Sequence, residues 1–172
     1  MRKFTFFAFL FLAVAVAAQP KQENSEELEK RHGFKNIRLA TPIDSIEGAE
    51  FQKDILEKNE YEAKLYSIKK ASLGAVGEIK VKSIDLKTYK GLIYEIVVET
   101  EKDQRLMQGL EKAFGPSTYN VRTEGYHWRA PSLSLSAYGG KNSHRLVYVS
   151  YTVHKQMKAD KGKKVDDIAD DF

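Results

Sequence analysis

One amphipathic helix lies among segments whose apolar residues recur at every second position. The helix is predicted over Glu101–Phe114, where apolar residues return at helical spacing. Thr100 and Asp103 have the spacing of a capping box at its start. Gly115-Pro116 predicts its end, since glycine readily adopts a left-handed conformation and proline cannot continue a helix. The apolar stripe consists of Leu106, Met107, Leu110, Ala113 and Phe114.

The alternating segments predict an antiparallel sheet. Both rows of side chains between Leu92 and Glu99 are largely apolar, which is typical of a central strand. Lys90-Gly91 can turn this strand back onto Ile79–Tyr89 as a hairpin. Further strands are predicted around Tyr126 and Trp128, over Ser132–Ala137 and Val147–His154 with a loop at Gly139–Asn142 between them, and more weakly over Phe34–Leu39 and Tyr61–Lys70.

The order of these elements predicts the fold class. The second half contains a strand, a long helix and a meander of antiparallel strands. A less regular version occupies the first half, where Thr41-Pro42-Ile43-Asp44 predicts a short helix with Pro42 at its first position. We therefore predict an α+β fold in which one long and one short helix pack on one face of an antiparallel β-sheet. The repeated order also indicates two degenerate β-α-β repeats.

The first eighteen residues have the form of an export signal. Arg2 and Lys3 precede the apolar run Phe4–Val16, and small residues end the segment at Ala17-Ala18. This run is shorter than the ~20 residues needed to span a bilayer. We therefore predict a mature chain that begins near Gln19, is located in the periplasm or outside the cell, and has no transmembrane segment.

We predict four segments along the chain. They are the signal peptide at residues 1–18, a polar linker at 19–32, a single α+β domain at 33–154 and a charged C-terminal tail at 155–172. Two alternatives stay open: a frayed helical turn at Glu26–Lys30 in the linker, and a loosely docked helix instead of a mobile segment in the tail. Without the signal, 154 of the 172 residues remain, which suffices for one domain with its own core. That core must form without disulfides, because the chain has no cysteine.

The charge of the mature chain is close to balanced. With Arg2 and Lys3 removed, 26 basic residues stand against 24 acidic residues. Proteins that bind nucleic acid usually carry a stronger basic excess. We therefore do not expect a nucleic-acid partner.

Two short stretches resemble known families of small exported bacterial proteins. Ile37–Ile46 is similar to their opening strand, turn and capped helix, and Leu110–Pro116 followed by Tyr126-His127-Trp128 is similar to their helix, turn and strand. The groups are the β-lactamase-inhibitor-protein-like and SmpA/OmlA-like domains. Ala40 stands where those groups often have glycine. The resemblance implies an α+β interaction module that is not an enzyme, and it transfers no functional residue.

No catalytic motif is present in the sequence. The chain lacks a phosphate-binding loop, a nucleophile elbow and histidines at helical metal-ligand spacing, so we expect no cofactor and no metal site. We expect binding on the outward face of the C-terminal meander, where polar residues alternate with apolar ones. The candidate ligand-binding residues are His127, Arg129, Ser134, Tyr148 and His154, accompanied by Ser132, Ser136, Ser150 and Thr152.

These observations predict an exported, non-enzymatic binding domain with an envelope protein or a polysaccharide as its partner. An ordinary solvent-facing sheet surface would show the same polar row. Two further alternatives stay open. One is a small cell-envelope hydrolase, because catalytic sites are recognised by geometry and not by sequence order; its dispersed residues would be His127, His154, Glu124 and Tyr148. The other is a cationic envelope- or nucleic-acid-binding protein that uses tail lysines, namely Lys155, Lys158, Lys161, Lys163 and Lys164.

Overall fold

The computed structural model describes residues 24–170, in which strands outnumber helices. The strands are β1 (Gly33–Phe34), β2 (Ile37–Arg38), β3 (Ala49–Glu57), β4 (Tyr61–Ile68), β5 (Ala75–Val76), β6 (Ile79–Tyr89), β7 (Leu92–Glu101), β8 (Thr118–Asn120), β9 (Gly125–Arg129), β10 (Leu133–Gly139) and β11 (Ser143–Ser150). The helices are α1 (Asn24–Arg31), α2 (Gln104–Phe114) and α3 (Tyr151–Asp170), with short 3-10 turns at Ile43–Ser45 and Lys70–Ser72.

Eight strands form a continuous antiparallel sheet in the order β3-β4-β6-β7-β11-β10-β9-β8, and β5 adds to β6. The predicted hairpin is confirmed, since β6 and β7 pair directly and Tyr89 stands opposite Leu92 across Lys90-Gly91. β7 is central, as predicted, and it also pairs with β11. The α+β class with an antiparallel sheet is therefore confirmed, whereas the two degenerate repeats stay a prediction.

The main core lies between one face of the sheet and the helices α1 and α2. Leu28 of α1 and Leu106 of α2 pack in the same cluster as sheet residues such as Leu86. A smaller cluster contains Val153 and Met157 of α3 together with Tyr94. Because neighbouring strand residues point to opposite faces, the placement of Ile93 in the first cluster and Tyr94 in the second puts α3 on the other side of the sheet.

Helix α2 has the predicted apolar stripe and a different N-terminal cap. Leu106, Leu110 and Phe114 are buried as predicted. The carboxylate of Asp103 accepts the backbone N–H of Arg105 at 2.8 Å and caps the helix. The predicted cap, Thr100, instead lies buried inside β7, because the strand continues two residues beyond Glu99 and ends at Glu101.

The prediction of a polar linker over residues 19–32 is wrong for its second part. Residues 24–31 form α1, and the side chain of Leu28 is completely buried in the main core. The short helix predicted at Thr41 is a single 3-10 turn at Ile43–Ser45. The short helix that packs beside α2 is therefore α1, whose one fully buried leucine gives little apolar periodicity in the sequence.

The last predicted strand and the predicted tail also need correction. β11 ends at Ser150, and the chain continues as α3. The Ser150 hydroxyl accepts the backbone N–H of Val153 at 3.3 Å, which is an N-cap contact. Val153 and Met157 are then buried one helical turn apart. No helix within residues 24–170 is long and apolar enough to cross a membrane.

Candidate ligand-binding cavity

A cavity of about 880 Å³ lies between α1, the β1–β2 hairpin, α2 and the main-core face of the sheet. α1 and α2 contact each other beside it. Cavities of roughly 300–1,000 Å³ with apolar walls and a few polar groups are typical of small-molecule sites. The apolar lining residues are Phe34, Val76, Ile79, Leu106, Leu110, Ala113, Phe114 and Leu146.

The β1–β2 hairpin forms one wall because a glycine permits its tight geometry. Gly33 has a φ of 152°, and a Cβ atom there would lie 2.2 Å from the carbonyl oxygen of Ile37. The hairpin is attached to α1, since Leu39 donates its N–H to the His32 carbonyl at 2.9 Å. The Arg38 guanidinium also donates to the Lys30 carbonyl at 3.2 Å. These contacts hold the hairpin beside the end of α1.

Tyr148 supplies a polar group inside the cavity. Its side chain is 3% exposed and lines the cavity, with its ring centroid 6.3 Å from that of Phe34. Within residues 24–170, its hydroxyl makes no hydrogen bond. Burial raises the pKa of this hydroxyl, and the nearby positive charge of Arg31 opposes that rise in part. The hydroxyl is therefore protonated and can donate a hydrogen bond, and it experiences the positive charge of Arg31.

Positive side chains surround the cavity. The basic lining residues are Lys30, Arg31, Lys35, Arg38 and Arg105, and the acidic lining residue is Glu78. Arg105 is paired with Asp103 at 2.8 Å and with Glu78 at 2.9 Å, and these hydrogen bonds raise its pKa. Arg31 pairs through Nε with Glu27 at 2.8 Å.

The other three cations have no carboxylate partner within the described part of the chain. Lys35 donates to the Ala75 carbonyl at 2.6 Å, and Arg38 to the Lys30 carbonyl. Carbonyl oxygens do not neutralise these charges. The rim of the cavity therefore has a net positive charge, which favours anionic ligands.

The structure separates the five residues predicted to bind a ligand. Arg129 and Ser134 are directly opposite each other on β9 and β10. His127 lies on the same side, where its ring nitrogens are 2.8 Å from the Ser136 hydroxyl and 3.1 Å from the Thr123 hydroxyl. His154 is on α3, with its ring 5.4 Å from that of Tyr94.

Tyr148 is the residue that the prediction placed on the wrong face. In the register of β10 with β11, Ser134 stands opposite Val149 and Ser136 opposite Val147. The serine row therefore shares its face with half-buried valines. Tyr148 stands opposite Leu135 and points into the main core. Ser150 is likewise completely buried, and Thr152 belongs to α3 and not to a strand.

His154 belongs to a polar cluster under α3. The carboxylate of Glu57 accepts hydrogen bonds from the Tyr94 hydroxyl at 2.9 Å and from Lys87 at 3.1 Å, and Lys87 also pairs with Glu95 at 3.0 Å. Burial opposes ionisation of Glu57, but its hydrogen bonds outweigh burial and lower its pKa. For His154, burial is the main cause of a lowered pKa, and the charge of Lys58 adds to it. This network connects β3, β6 and β7, and the ring contact between Tyr94 and His154 joins α3 to it.

Within residues 24–170, the residues of the alternative hydrolase hypothesis do not come together as a catalytic triad. Tyr148 lies in the main core and His154 under α3, on opposite faces of the sheet. A serine, a histidine and a glutamate do meet elsewhere, where Ser132 Oγ is 3.3 Å from His32 Nδ1. Glu29, however, accepts both the backbone N–H and the hydroxyl of Ser132. A triad needs the histidine between the other two groups, so this contact fastens α1 to the start of β10.

Comparison with known proteins yields no relative. No family model, curated protein or solved structure matches this chain. Among the described residues, no three histidine, aspartate or glutamate side chains are grouped in a way that could hold a metal ion.

The cavity could not be predicted from the sequence, because its lining comes from segments that are far apart in the chain. Lys30 and Arg31 belong to the segment predicted as a linker, and the other lining residues come from β1, β2, α2, β11 and the region around β5. One signal was present. Lys30-Arg31, Lys35 and Arg38 alternate with the apolar Leu28, Phe34 and Ile37, which is the pattern of a segment with one buried and one charged side.

Proposed function

We propose that this protein is an exported, non-enzymatic binding protein whose ligand enters the cavity between α1 and α2. The observation that carries this proposal is the Tyr148 hydroxyl, a donor that makes no hydrogen bond within the described residues and lines the cavity together with its apolar side chains. A hydrogen bond from this hydroxyl to a ligand atom would contribute about 0.5–1.5 kcal/mol and would orient the ligand. The apolar lining would bury the rest of the ligand.

The export part of the proposal rests on the first eighteen residues, which lie outside the described part of the chain. The non-enzymatic part is supported by the separation of His127, His154 and Tyr148. The polar face of β9 and β10, around Arg129 and Ser134, is a second surface that an envelope protein or a polysaccharide could contact, as the sequence analysis expects.

Two glycine substitutions test whether the cavity is the binding site. Gly109 lies on α2 and lines the cavity, and a Cβ atom there meets nothing within 4 Å. Gly109→Phe should therefore be tolerated by the fold and should occupy the cavity. Gly162→Phe is the matched control, because Gly162 is also helical and open but lies on α3, away from the cavity.

The measurement is the fluorescence of the uncharged probe N-phenyl-1-naphthylamine titrated with the mature protein. We expect the wild type and Gly162→Phe to bind the probe equally and Gly109→Phe to lose binding by about tenfold or more. Equal binding by both variants would place the probe elsewhere, and no binding by the wild type would contradict the proposed cavity site. Arg129→Ala with Ser134→Ala, which changes only the opposite face, should leave the titration unaltered.

A further inference from the structure

We propose that the ligand of this cavity is a single-chain amphiphile with an anionic head group, a carboxylate or a phosphate. This inference rests on the proposed function and specifies the chemistry of its ligand. It is based on three features of the cavity: its apolar lining, the position of Arg31 relative to Tyr148, and the unpaired cations of its rim.

The lining fits an aliphatic chain better than a polar solute. Leu106 and Leu110 of α2 are buried along one side, and Phe34 and Leu146 are buried on the others. Binding of an apolar chain becomes more favourable in proportion to the apolar surface that it removes from water. A sugar or a short peptide would need polar partners along its whole length. The charged lining residues come from the helices, the β1–β2 hairpin and Glu78, and the Tyr148 hydroxyl is the one polar side-chain group from the sheet among the described lining residues.

Arg31 and Tyr148 provide a place for the head group. The Arg31 guanidinium lies 5.4 Å from the ring centroid of Phe114, at the edge of the cavity. Its Nε is held by Glu27, while its two terminal nitrogens make no hydrogen bond within the described residues. Guanidinium groups bind carboxylates and phosphates through paired N–H donors. Arg31 and Tyr148 line the same cavity, so one anionic head group bound there can contact both.

The charges of the rim make the cavity favour ligands of negative charge. Lys30, Lys35 and Arg38 have no carboxylate partner within residues 24–170 and surround the same opening. They attract an anionic amphiphile at a distance comparable to the Debye length and repel a cationic one. An uncharged amphiphile of equal chain length would gain the apolar contacts without the contribution of Arg31.

The test is displacement of N-phenyl-1-naphthylamine from the mature protein by four amphiphiles with the same chain. They are dodecanoate, dodecyl phosphate, monododecanoyl glycerol and dodecyltrimethylammonium, each used below its aggregation concentration. We expect the two anions to bind about tenfold more tightly than the uncharged glyceride, and the cation to bind most weakly. The tighter of the two anions identifies the head group.

Variants of the head-group site make the test specific. Arg31→Gln should weaken both anions about tenfold and leave the glyceride unchanged. Glu27→Gln is the matched control, because it breaks the same ion pair but keeps the cation, and it should retain anion binding. Tyr148→Phe should weaken the anions several-fold without loss of the glyceride. For every variant, an unchanged melting temperature shows that the fold is intact.

The two proposals fail in different ways. If the uncharged glyceride or the cation displaces the probe as well as the anions do, the anionic specificity is overturned while the cavity remains a binding site. If the wild type does not bind the probe and no amphiphile alters its melting temperature, the proposed function itself fails.

Discussion

At the scale of single residues, Tyr148 shows that the face of a side chain depends on strand register. In the sequence, Tyr148 alternates with Val147 and Val149 and is expected beside the serines of the neighbouring strand. The valines are the residues that stand opposite those serines, and Tyr148 is buried. A shift of register by one residue moves every side chain of a strand to the other face. Of the five predicted binding residues, Tyr148 alone lines the cavity.

Gly33 provides a test of the hairpin beside the cavity. In Gly33→Ala, the alanine would have to adopt a positive φ of 152°, and its Cβ atom would overlap the carbonyl oxygen of Ile37. Gly77→Ala is the control, since Gly77 has a positive φ of 60° and open space around it. In denaturant titrations the control should lower the free energy of unfolding by about 1 kcal/mol, and Gly33→Ala should lower it by more. Equal losses would show that the close approach does not matter.

His154 should make stability depend on pH. Burial and Lys58, followed by Lys158, lower its pKa below the ordinary 6.5, against the opposing charges of Glu57 and Glu95. The unfolded chain then binds the proton first, so the contribution of His154 is present above about pH 6.5 and is lost as the pH falls.

The measurement is the melting temperature between about pH 7.5 and about pH 5.5. We expect a fall in the wild type that is smaller in His154→Gln, which cannot titrate. An identical fall in both proteins would assign the pH dependence to other groups.

At the scale of elements, α3 and α1 show how a helix with few apolar residues is held in place. Each has a largely charged surface, and neither has the apolar stripe of α2. Val153 and Met157 dock α3 onto the sheet. Asp160 strengthens the contact, because it pairs with Lys90 at 2.7 Å and accepts from the Tyr89 hydroxyl at 3.0 Å. Residues 155–160 are thus part of the folded structure, whereas the sequence predicts that the domain ends at residue 154.

Met157→Ala tests whether α3 is docked in solution. The Met157 side chain is 2% exposed, and truncation of a buried methionine to alanine typically costs about 2–5 kcal/mol. Val165→Ala is the control further along the same helix, where the side chain is 56% exposed, and it should change the unfolding free energy by less than about 0.5 kcal/mol. If Met157→Ala also has no effect, the segment is the independent tail that the sequence predicts.

At the scale of the whole molecule, one sheet with helices on both faces stabilises a protein that has no disulfides. The main core and the smaller cluster under α3 use opposite faces of the same central strands. Glu57, Lys87 and Tyr94 connect neighbouring strands beside the smaller cluster, and Asp160 joins α3 to the sheet through Lys90 and Tyr89. The cavity is the part of the main-core face that α1 and α2 leave uncovered.

Export is a prediction about the whole molecule, and it lies outside the described residues. The charged start, apolar run and small residues of the first eighteen positions predict cleavage before Gln19. Intact-mass analysis of the secreted or periplasmic protein should give the mass of residues 19–172. Replacing Ala18 with a bulky residue should impair this processing, and an exported protein that keeps residues 1–18 would contradict the prediction.

The amino-acid sequence alone determined the α+β class, the β6–β7 hairpin and the apolar stripe of α2, because each depends on periodicity within a short stretch. The tertiary structure decided the register of β10 against β11, the docking of α1 and α3, and therefore the cavity. These features depend on partners far apart in the chain: Leu28 and Met157 are buried only because the sheet offers a face to receive them. Local propensity does not depend on such long-range contacts. Segments that resemble a linker and a tail in the sequence can therefore be docked helices in the folded protein.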